Sequence, residues 1–226
     1  MARPEDDVRL PWIAIVLLAG CAAEPFERPP LPVLDNPNPA VMRANFAHSL
    51  ADKFTSDDTI VIDAPFHKMT ILGVLEVDRN TGKFELVGLN PMGVELFHLS
   101  GDGGGTKIQS ALPPLMEQKE VLFSIGQDIR RMYFDLLPAE SAVVDLHSTF
   151  VHFSEKMPEG TMVHEMGDEP TVLLEKRLQG CFGAIWRVRY YQYAAKDGGL
   201  YPRGIVMDNA QYHYRIIVKN RDWQSN

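Results

Sequence analysis

Three consecutive segments between residues 69 and 99 constrain the fold of this chain most, because apolar and polar side chains alternate along each of them. They cover residues 69–77, 83–89 and 94–99, and turn-forming residues separate them at 79–82 and 90–93. Alternation with a period of two is typical of strands that have one buried face. Asn, Gly and Pro at the separations favour tight turns. The pattern therefore predicts an antiparallel meander with one apolar face.

The two turns also predict a strand register. A turn at 79–82 pairs Leu75 with Leu86, and a turn at 90–93 pairs Leu86 with Phe97. The resulting apolar face contains Ile71, Leu75, Val77, Phe84, Leu86, Phe97 and Leu99. The opposite face ends in a polar group of three residues, Glu76, Glu85 and His98.

The remaining pattern predicts one β-rich domain that carries one or two helices. A long amphipathic helix is predicted over residues 119–137, ended by Pro138, and a short helix after Asn38. This long helix can fill the apolar face as an ordinary core, or cover it in part and leave an apolar cavity for acyl chains. Further strands are predicted at 59–62, 106–109, 143–152, 161–165, 172–178, 185–193, 204–207 and 211–219.

The N-terminus contains an apolar run, residues 10–20, that ends on Cys21. At about 1.5 Å per helical residue the run is too short to cross a hydrocarbon core about 30 Å thick, and it has the length of a signal-peptide core. Its end, Leu18-Ala19-Gly20-Cys21, resembles the lipobox of bacterial lipoproteins. Three acidic residues near the start depart from the basic beginning of an ordinary signal, so either the signal is atypical or the assigned start is wrong.

The resemblance to bacterial lipoproteins implies a signal peptide at residues 1–20 that is removed before Cys21. It also implies a diacylglycerol on the Cys21 thiol and an acyl group such as palmitate on the new amine, with no other cofactor. Ala22, in place of aspartate, implies the outer membrane, with the domain facing the periplasm. Residues 21–40, rich in proline, form either an extended tether or a segment that wraps the domain at 41–226.

The central meander resembles an uncharacterised family of bacterial lipoproteins, the domain of unknown function numbered 3261. The resemblance rests on residues 86–99, on 73–77 before them and on 212–216, and it extends over residues 59–220. It implies an α+β, β-rich fold of the LolA/LolB-like kind. This fold is an unclosed antiparallel β-barrel, a half-barrel whose apolar concave face lies under a helix lid and holds acyl chains. The seven residues of the predicted apolar face are then the candidate ligand-binding residues, and no catalytic residue is implied.

Composition and the remaining motifs narrow the possible functions. A formal charge of −8 argues against nucleic acid as a partner, because that binding needs clustered cations. His147 and His152 are five residues apart, which on one strand directs them to opposite faces, so we expect no metal site. Asp145 shares a strand face with His147, but no activated nucleophile accompanies them, so we expect no enzyme. Cys181 is expected to be buried among its apolar neighbours.

The leading hypothesis is a non-enzymatic lipoprotein, anchored in the outer membrane, that binds or transfers a hydrophobic ligand such as lipoprotein acyl chains or a polyene lipid. Its partners are then the membrane, through the acyl anchor, and that ligand. The alternative is a structural or assembly lipoprotein with a filled core and no cavity, and a hydrolase ranks third. The sequence does not indicate the oligomeric state.

Overall fold

The computed structural model describes residues 24–28, 31–65, 67–168 and 170–225, apart from the side chain of His67. The predicted signal peptide and the predicted lipid-bearing Cys21 lie outside these residues. In chain order the elements are α1 (Pro39–Ser49), β1 (Lys53–Ala64), β2 (His67–Asp78), β3 (Lys83–Leu89), β4 (Glu95–Asp102), β5 (Gly105–Ala111), α2 (Pro113–Met116), α3 (Lys119–Tyr133), β6 (Val143–Leu146), β7 (Val151–Met157), β8 (Gly160–Gly167), β9 (Val172–Gly180), β10 (Gly183–Lys196), β11 (Gly199–Asn209) and β12 (Tyr214–Ser225).

Helix α1 begins where the sequence predicts it. The side chain of Asn38 accepts hydrogen bonds from the backbone N–H groups of Ala40 and Val41, at 3.1 and 3.2 Å. This cap satisfies N–H groups that have no partner within the helix. Met42 and Phe46, one turn apart, are buried, so α1 packs against the domain through the face that they share.

All twelve strands belong to one antiparallel sheet, in the order β5-β4-β3-β2-β1-β12-β11-β10-β9-β8-β7-β6. Within the described residues the two edge strands, β5 and β6, do not pair with each other. Helix α3 contacts β4 and β5 near one edge, while Asp135, just after α3, contacts His164 of β8 near the other edge. The sheet therefore curves around the helix. This is the unclosed antiparallel half-barrel that the sequence predicts, and within the described residues no helix is long and apolar enough to cross a membrane.

The register of the first predicted hairpin is confirmed, and that of the second differs by two residues. Leu75 pairs with Leu86 as expected. Leu86, however, pairs with Leu99 and not with Phe97, which lies opposite Gly88. A shift of two residues keeps each side chain on the same face, so the predicted composition of the apolar face is unchanged.

Glycine explains the observed register of β3 and β4. A Cβ atom on Gly88 would collide with the ring of Phe97, and one on Gly101 would collide with the ring of Phe84. Each ring lies over the bare backbone of the glycine opposite it, an arrangement that anchors the pairing of neighbouring strands. The turn residues alone did not indicate this constraint.

Helix α3 ends at Tyr133, four residues before the predicted end. Phe134 is extended, and Asp135 adopts a left-handed backbone conformation with φ of 49°, so the chain leaves the helix before Pro138.

The strand predicted at 143–152 is wrong in part, because a turn divides it into β6 and β7. Every other predicted strand overlaps a strand of the structure.

Candidate functional site

The seven candidate ligand-binding residues lie together on the concave face. Their exposed fractions run from 0% for Val77 and Leu99 to 3% for Phe84. Leu122 and Ile129 of α3 belong to the same core cluster. The face is therefore apolar and lies under the predicted helix, and protein side chains fill the space between them.

Side chains from the sheet hold the C-terminal end of α3. Tyr190, Arg79 and Lys176 donate hydrogen bonds to the backbone carbonyl oxygens of residues 132, 133 and 134, at 2.9, 3.1 and 2.6 Å. The Nε2 atom of His164 lies 3.1 Å from the carbonyl oxygen of the next residue. These carbonyls carry the negative end of the helix dipole, which cations stabilise. We call these four side chains the pinning cluster.

Burial shifts the titration of the pinning cluster. It lowers the pKa of Lys176 to about 7 and that of Arg79 to about 10, because a buried site disfavours the charged form. Burial, together with the nearby Lys176 cation, lowers the pKa of His164 to about 4, so this imidazole is neutral at neutral pH. The sequence did not lead us to predict this cluster; its available signal was Lys176, two residues before Leu178 on the buried face of β9.

The N-terminal end of α3 is held differently. The N-cap residue, Gln118, makes no side-chain capping bond, and no hydrogen bond joins residues 119–123 to the described strands. Val121 and Phe123 are 46% and 43% exposed. Packing alone joins residues 119–123 to the described strands. Further along the helix, a Cβ atom on Gly126 would lie 2.8 Å from the Cβ atom of Thr106, and the carboxylate of Asp128 accepts a hydrogen bond from the hydroxyl of Tyr214 in β12. Helix α3 is thus pinned at one end and only packed at the other.

A second buried polar group lies on the inward face of β1. Asp58, 1% exposed, accepts hydrogen bonds from Ser56 at 2.9 Å and from Asn220 at 3.1 Å. Burial raises the pKa of this carboxyl to about 6, and the two hydrogen bonds only partly oppose that effect. A cavity of about 20 Å³ beside it, lined in part by Phe54 and Tyr133, has room for one water molecule.

The polar group predicted on the outer face of the meander forms as expected. Glu76 pairs with Glu85 across β2 and β3. The Nε2 atom of His98 lies 2.6 Å from Oε1 of Glu85. These side chains are on the surface opposite the core, so they do not contribute to the concave site.

The structure corrects the expectation that His147 and His152 point apart. His147 follows β6 and His152 lies in β7, so a turn brings their rings to 5.8 Å. With Asp145 they place three possible metal ligands within 4.8 Å of one another. The guanidinium of Arg177, 3.2 Å from Nε2 of His152, opposes a cation there. Burial and Arg177 also lower the pKa of His152.

The expectation that Cys181 is buried is wrong. Cys181 and Phe182 are both exposed, because they occupy the turn between β9 and β10, whose ends Gly180 and Gly183 pair with each other. Apolar neighbours indicate burial within a strand, but at a two-residue turn the side chains project away from the sheet. The thiol therefore faces solvent.

Part of the proline-rich segment packs on the outer face of β10 and β11. The carboxylate of Glu24 accepts hydrogen bonds from Arg189 and, at 2.5 Å, from Tyr191. The ring of Phe26 lies against that of Tyr191 and over the backbone of Gly204. We call residues 24–28 the strap, and in the described residues they wrap the domain as one of the two interpretations predicts.

Solved structures share this architecture. A LolA superfamily protein from Nitrosomonas europaea has a TM-score of 0.53 at 8% sequence identity, covering 84% of this chain and 94% of that chain. A DUF1329 family protein from Desulfovibrio piger has a TM-score of 0.50 at 7% identity, covering 83% and 91%. A domain from Vibrio parahaemolyticus assigned to outer membrane lipoprotein sorting has a TM-score of 0.48 at 10% identity, covering 82% and 89%. For the two structures with TM-scores of 0.50 or more, the likeness at these identities concerns the fold alone.

The unclosed sheet with its helix-covered apolar face is therefore a LolA-like fold. More particularly, the model of the family described as "Protein of unknown function (DUF3261)" matches residues 55–222, and the chain belongs to this family. The comparison with curated proteins finds no match.

Proposed function

We propose that this protein is a lipoprotein of the bacterial cell envelope that binds a hydrophobic ligand between its concave face and α3. Acyl groups on Cys21 would anchor it to the outer membrane, with the domain facing the periplasm. The ligand would be lipoprotein acyl chains or another lipid. The observation that supports this proposal is an apolar face of an unclosed sheet, covered by one helix that is pinned at one end only.

In this proposal α3 acts as a lid. Its N-terminal end lifts while the pinning cluster holds its C-terminal end, and an acyl chain takes the place of Leu122 against the sheet. Burial of apolar surface at about 25 cal/mol per Å² then stabilises both states, because Leu122 covers the face when the lid is closed and the acyl chain covers it when the lid is open. The filled core is the closed state. Lifting residues 119–123 breaks no polar contact with the described strands, while Asp128 stays hydrogen-bonded to Tyr214 of β12 nearer the pinned end.

A reversible disulfide across the lid tests this mechanism. Thr106→Cys and Gly126→Cys, in a Cys181→Ser background, place two thiols where the helix approaches β5; a shift of about 1 Å brings their Cβ atoms to the ordinary disulfide separation. The measurement is binding of a fluorescent fatty acid before and after reduction. We expect the oxidised protein to lose binding and the reduced protein to regain it.

The reduced form is the matched control, because it has the same sequence. Equal binding in both forms would contradict a lid that opens at this end, and no binding by the wild-type protein would contradict a ligand site altogether. Native mass spectrometry of protein purified from cells adds an independent readout, with co-purified lipid as the expected result.

The alternative function, a structural or assembly lipoprotein, is favoured by one observation: the concave face is filled. The seven candidate residues are only 0–3% exposed, so protein side chains already complete the core and no ligand is needed for that. Absence of lipid in the native mass spectrum, together with no fatty-acid binding, would support this alternative.

The anchor is tested separately from the ligand site. Cys21→Ser removes the thiol that would carry diacylglycerol. We expect this variant to leave the membrane fraction, and we expect its intact mass to lack the covalent lipid. An unchanged mass apart from the substitution would overturn the anchor and leave the lid experiments unaffected.

A further inference from the structure

A groove of about 510 Å³ lies next to the strap and is lined by residues of β10, β11 and β12. Phe26 forms part of one wall, and Arg203, Lys219 and Arg221 contribute three cations. None of the described residues that line it carries a carboxylate. In a chain with a formal charge of −8, this is a local concentration of positive charge.

The three cations have no close anionic partner among the described residues, although the charge of Arg221 favours the ionised form of the buried Asp58. Arg203, Lys219 and Arg221 are exposed, and none of them forms an ion pair within the part of the chain that the structure describes. Nearby arginines differ in this respect, since Arg189 and Arg215 both pair with Asp208, at 2.5 and 2.6 Å. The charges at the groove are therefore available to a ligand.

Covalent connectivity places the groove near the predicted anchor. Phe26 is the fifth residue after Cys21, and an extended chain spans at most about 3.5 Å per residue. Phe26 is itself fixed by Tyr191 and Gly204. A lipid on Cys21 would thus hold this groove within roughly 18 Å of the membrane surface.

We propose that the groove binds the anionic headgroups of phospholipids in the membrane that carries the anchor, a proposal that rests on the proposed lipidation of Cys21 for its setting. Guanidinium and ammonium groups are the side chains that recognise phosphate oxygens. Contact there orients the domain, with the groove and strap toward the membrane.

Vesicle flotation of the full-length Cys21→Ser chain tests the groove without covalent lipid. Vesicles of phosphatidylcholine alone are compared with vesicles that also contain phosphatidylglycerol, so that any apolar contribution of residues 10–20 is present in both. One variant combines Arg203→Gln, Lys219→Gln and Arg221→Gln. The control combines Lys83→Gln, Lys119→Gln and Lys156→Gln, which removes the same charge from exposed positions elsewhere.

We expect the unmodified groove to prefer phosphatidylglycerol vesicles, and its triple variant to lose that preference. A cation near an anionic surface contributes about fivefold to partition, so three give a loss on the order of 100-fold. High salt should abolish the preference. Equal losses in the groove variant and the control, or no preference for phosphatidylglycerol, would overturn the proposal. Either result would leave the anchor test at Cys21 unaffected.

Discussion

The ring of Phe26 lies 5.4 Å from the ring of Tyr191, centroid to centroid, and this contact makes the strap part of the folded domain. Glu24 bonds the hydroxyl of the same tyrosine. Further along, the backbone N–H of Leu34 donates to the carbonyl of Ser148 at 2.8 Å. The proline-rich composition is compatible with a free tether or with a wrap, and specific partners on the sheet favour the wrap.

The strap and Gly204 should be energetically coupled. A Cβ atom at Gly204 would lie 2.8 Å from the Phe26 ring, so Gly204→Ala should displace the strap and lower the free energy of unfolding by about 1–2 kcal/mol. Phe26→Ala should have a similar effect through lost burial. Once the ring is absent, Gly204→Ala should have little further effect. Urea unfolding of the two single variants and the double variant measures this coupling.

The control for this cycle is Glu27→Ala, which lies in the strap and is exposed. It should change the free energy of unfolding by less than about 0.5 kcal/mol. Additive losses in the double variant would contradict a direct contact between the strap and β11.

Gly101 should tolerate no side chain, in contrast to Gly103 two residues away. A methyl group at Gly101 collides with the ring of Phe84, whereas one at Gly103 meets open space. Overpacking of a core typically costs about 1–3 kcal/mol. We expect Gly101→Ala to lower the free energy of unfolding by that amount and Gly103→Ala to leave it nearly unchanged. Thermal unfolding of both variants measures this, and equal melting temperatures would contradict the proposed basis of the register.

The same hairpin shows how far sequence patterns predict this fold. Alternation identified the strands and the correct buried face, because a register shift of two residues leaves each side chain on the same face of the sheet. It did not identify Gly88 as the partner of Phe97, since that pairing depends on the shape of a ring lying over bare backbone. Turn chemistry gave the first hairpin correctly, and close packing determined the second.

The candidate site was predictable in its apolar part only. The seven apolar residues follow from alternation, but the pinning cluster does not, because Lys176 and His164 meet the end of α3 only after the sheet has curved. Their partners are backbone carbonyls, which carry no sequence signal. The early end of α3 has the same origin: long-range hydrogen bonds replace those of a further helical turn.

Asp58 should make stability depend on pH. Its pKa is about 6 in the folded protein, against an ordinary value near 3.8 in the unfolded chain. Between these values the folded state binds more protons, so the free energy of unfolding falls as pH rises from about 4 to about 6 and then levels off. A shift of about two pKa units corresponds to roughly 3 kcal/mol. Asp58→Asn cannot ionise; its Oδ1 can accept from Asn220 and its Nδ2 can donate to the Ser56 hydroxyl. It should be more stable than the wild type at pH 7 and comparable to it at pH 4.

The measurement for Asp58 is the difference between the two unfolding free energies across this pH range, because other titrating groups then cancel. Asp63→Asn removes an exposed carboxylate from the same strand and serves as the matched control. Parallel curves for the wild type and Asp58→Asn would show that burial does not raise this pKa.

Thiol counting should distinguish the two cysteines. Cys181 is exposed, so the native protein purified from membranes should react with a thiol reagent at one site, as fast as the unfolded chain does. If Cys21 carries diacylglycerol, its sulfur is a thioether, and unfolding should reveal no second thiol. Cys181→Ser should then give none, with a free energy of unfolding within about 0.5 kcal/mol of the wild type. Two thiols after unfolding would overturn the lipidation of Cys21, whereas slow reaction in the native state alone would contradict the exposure of Cys181.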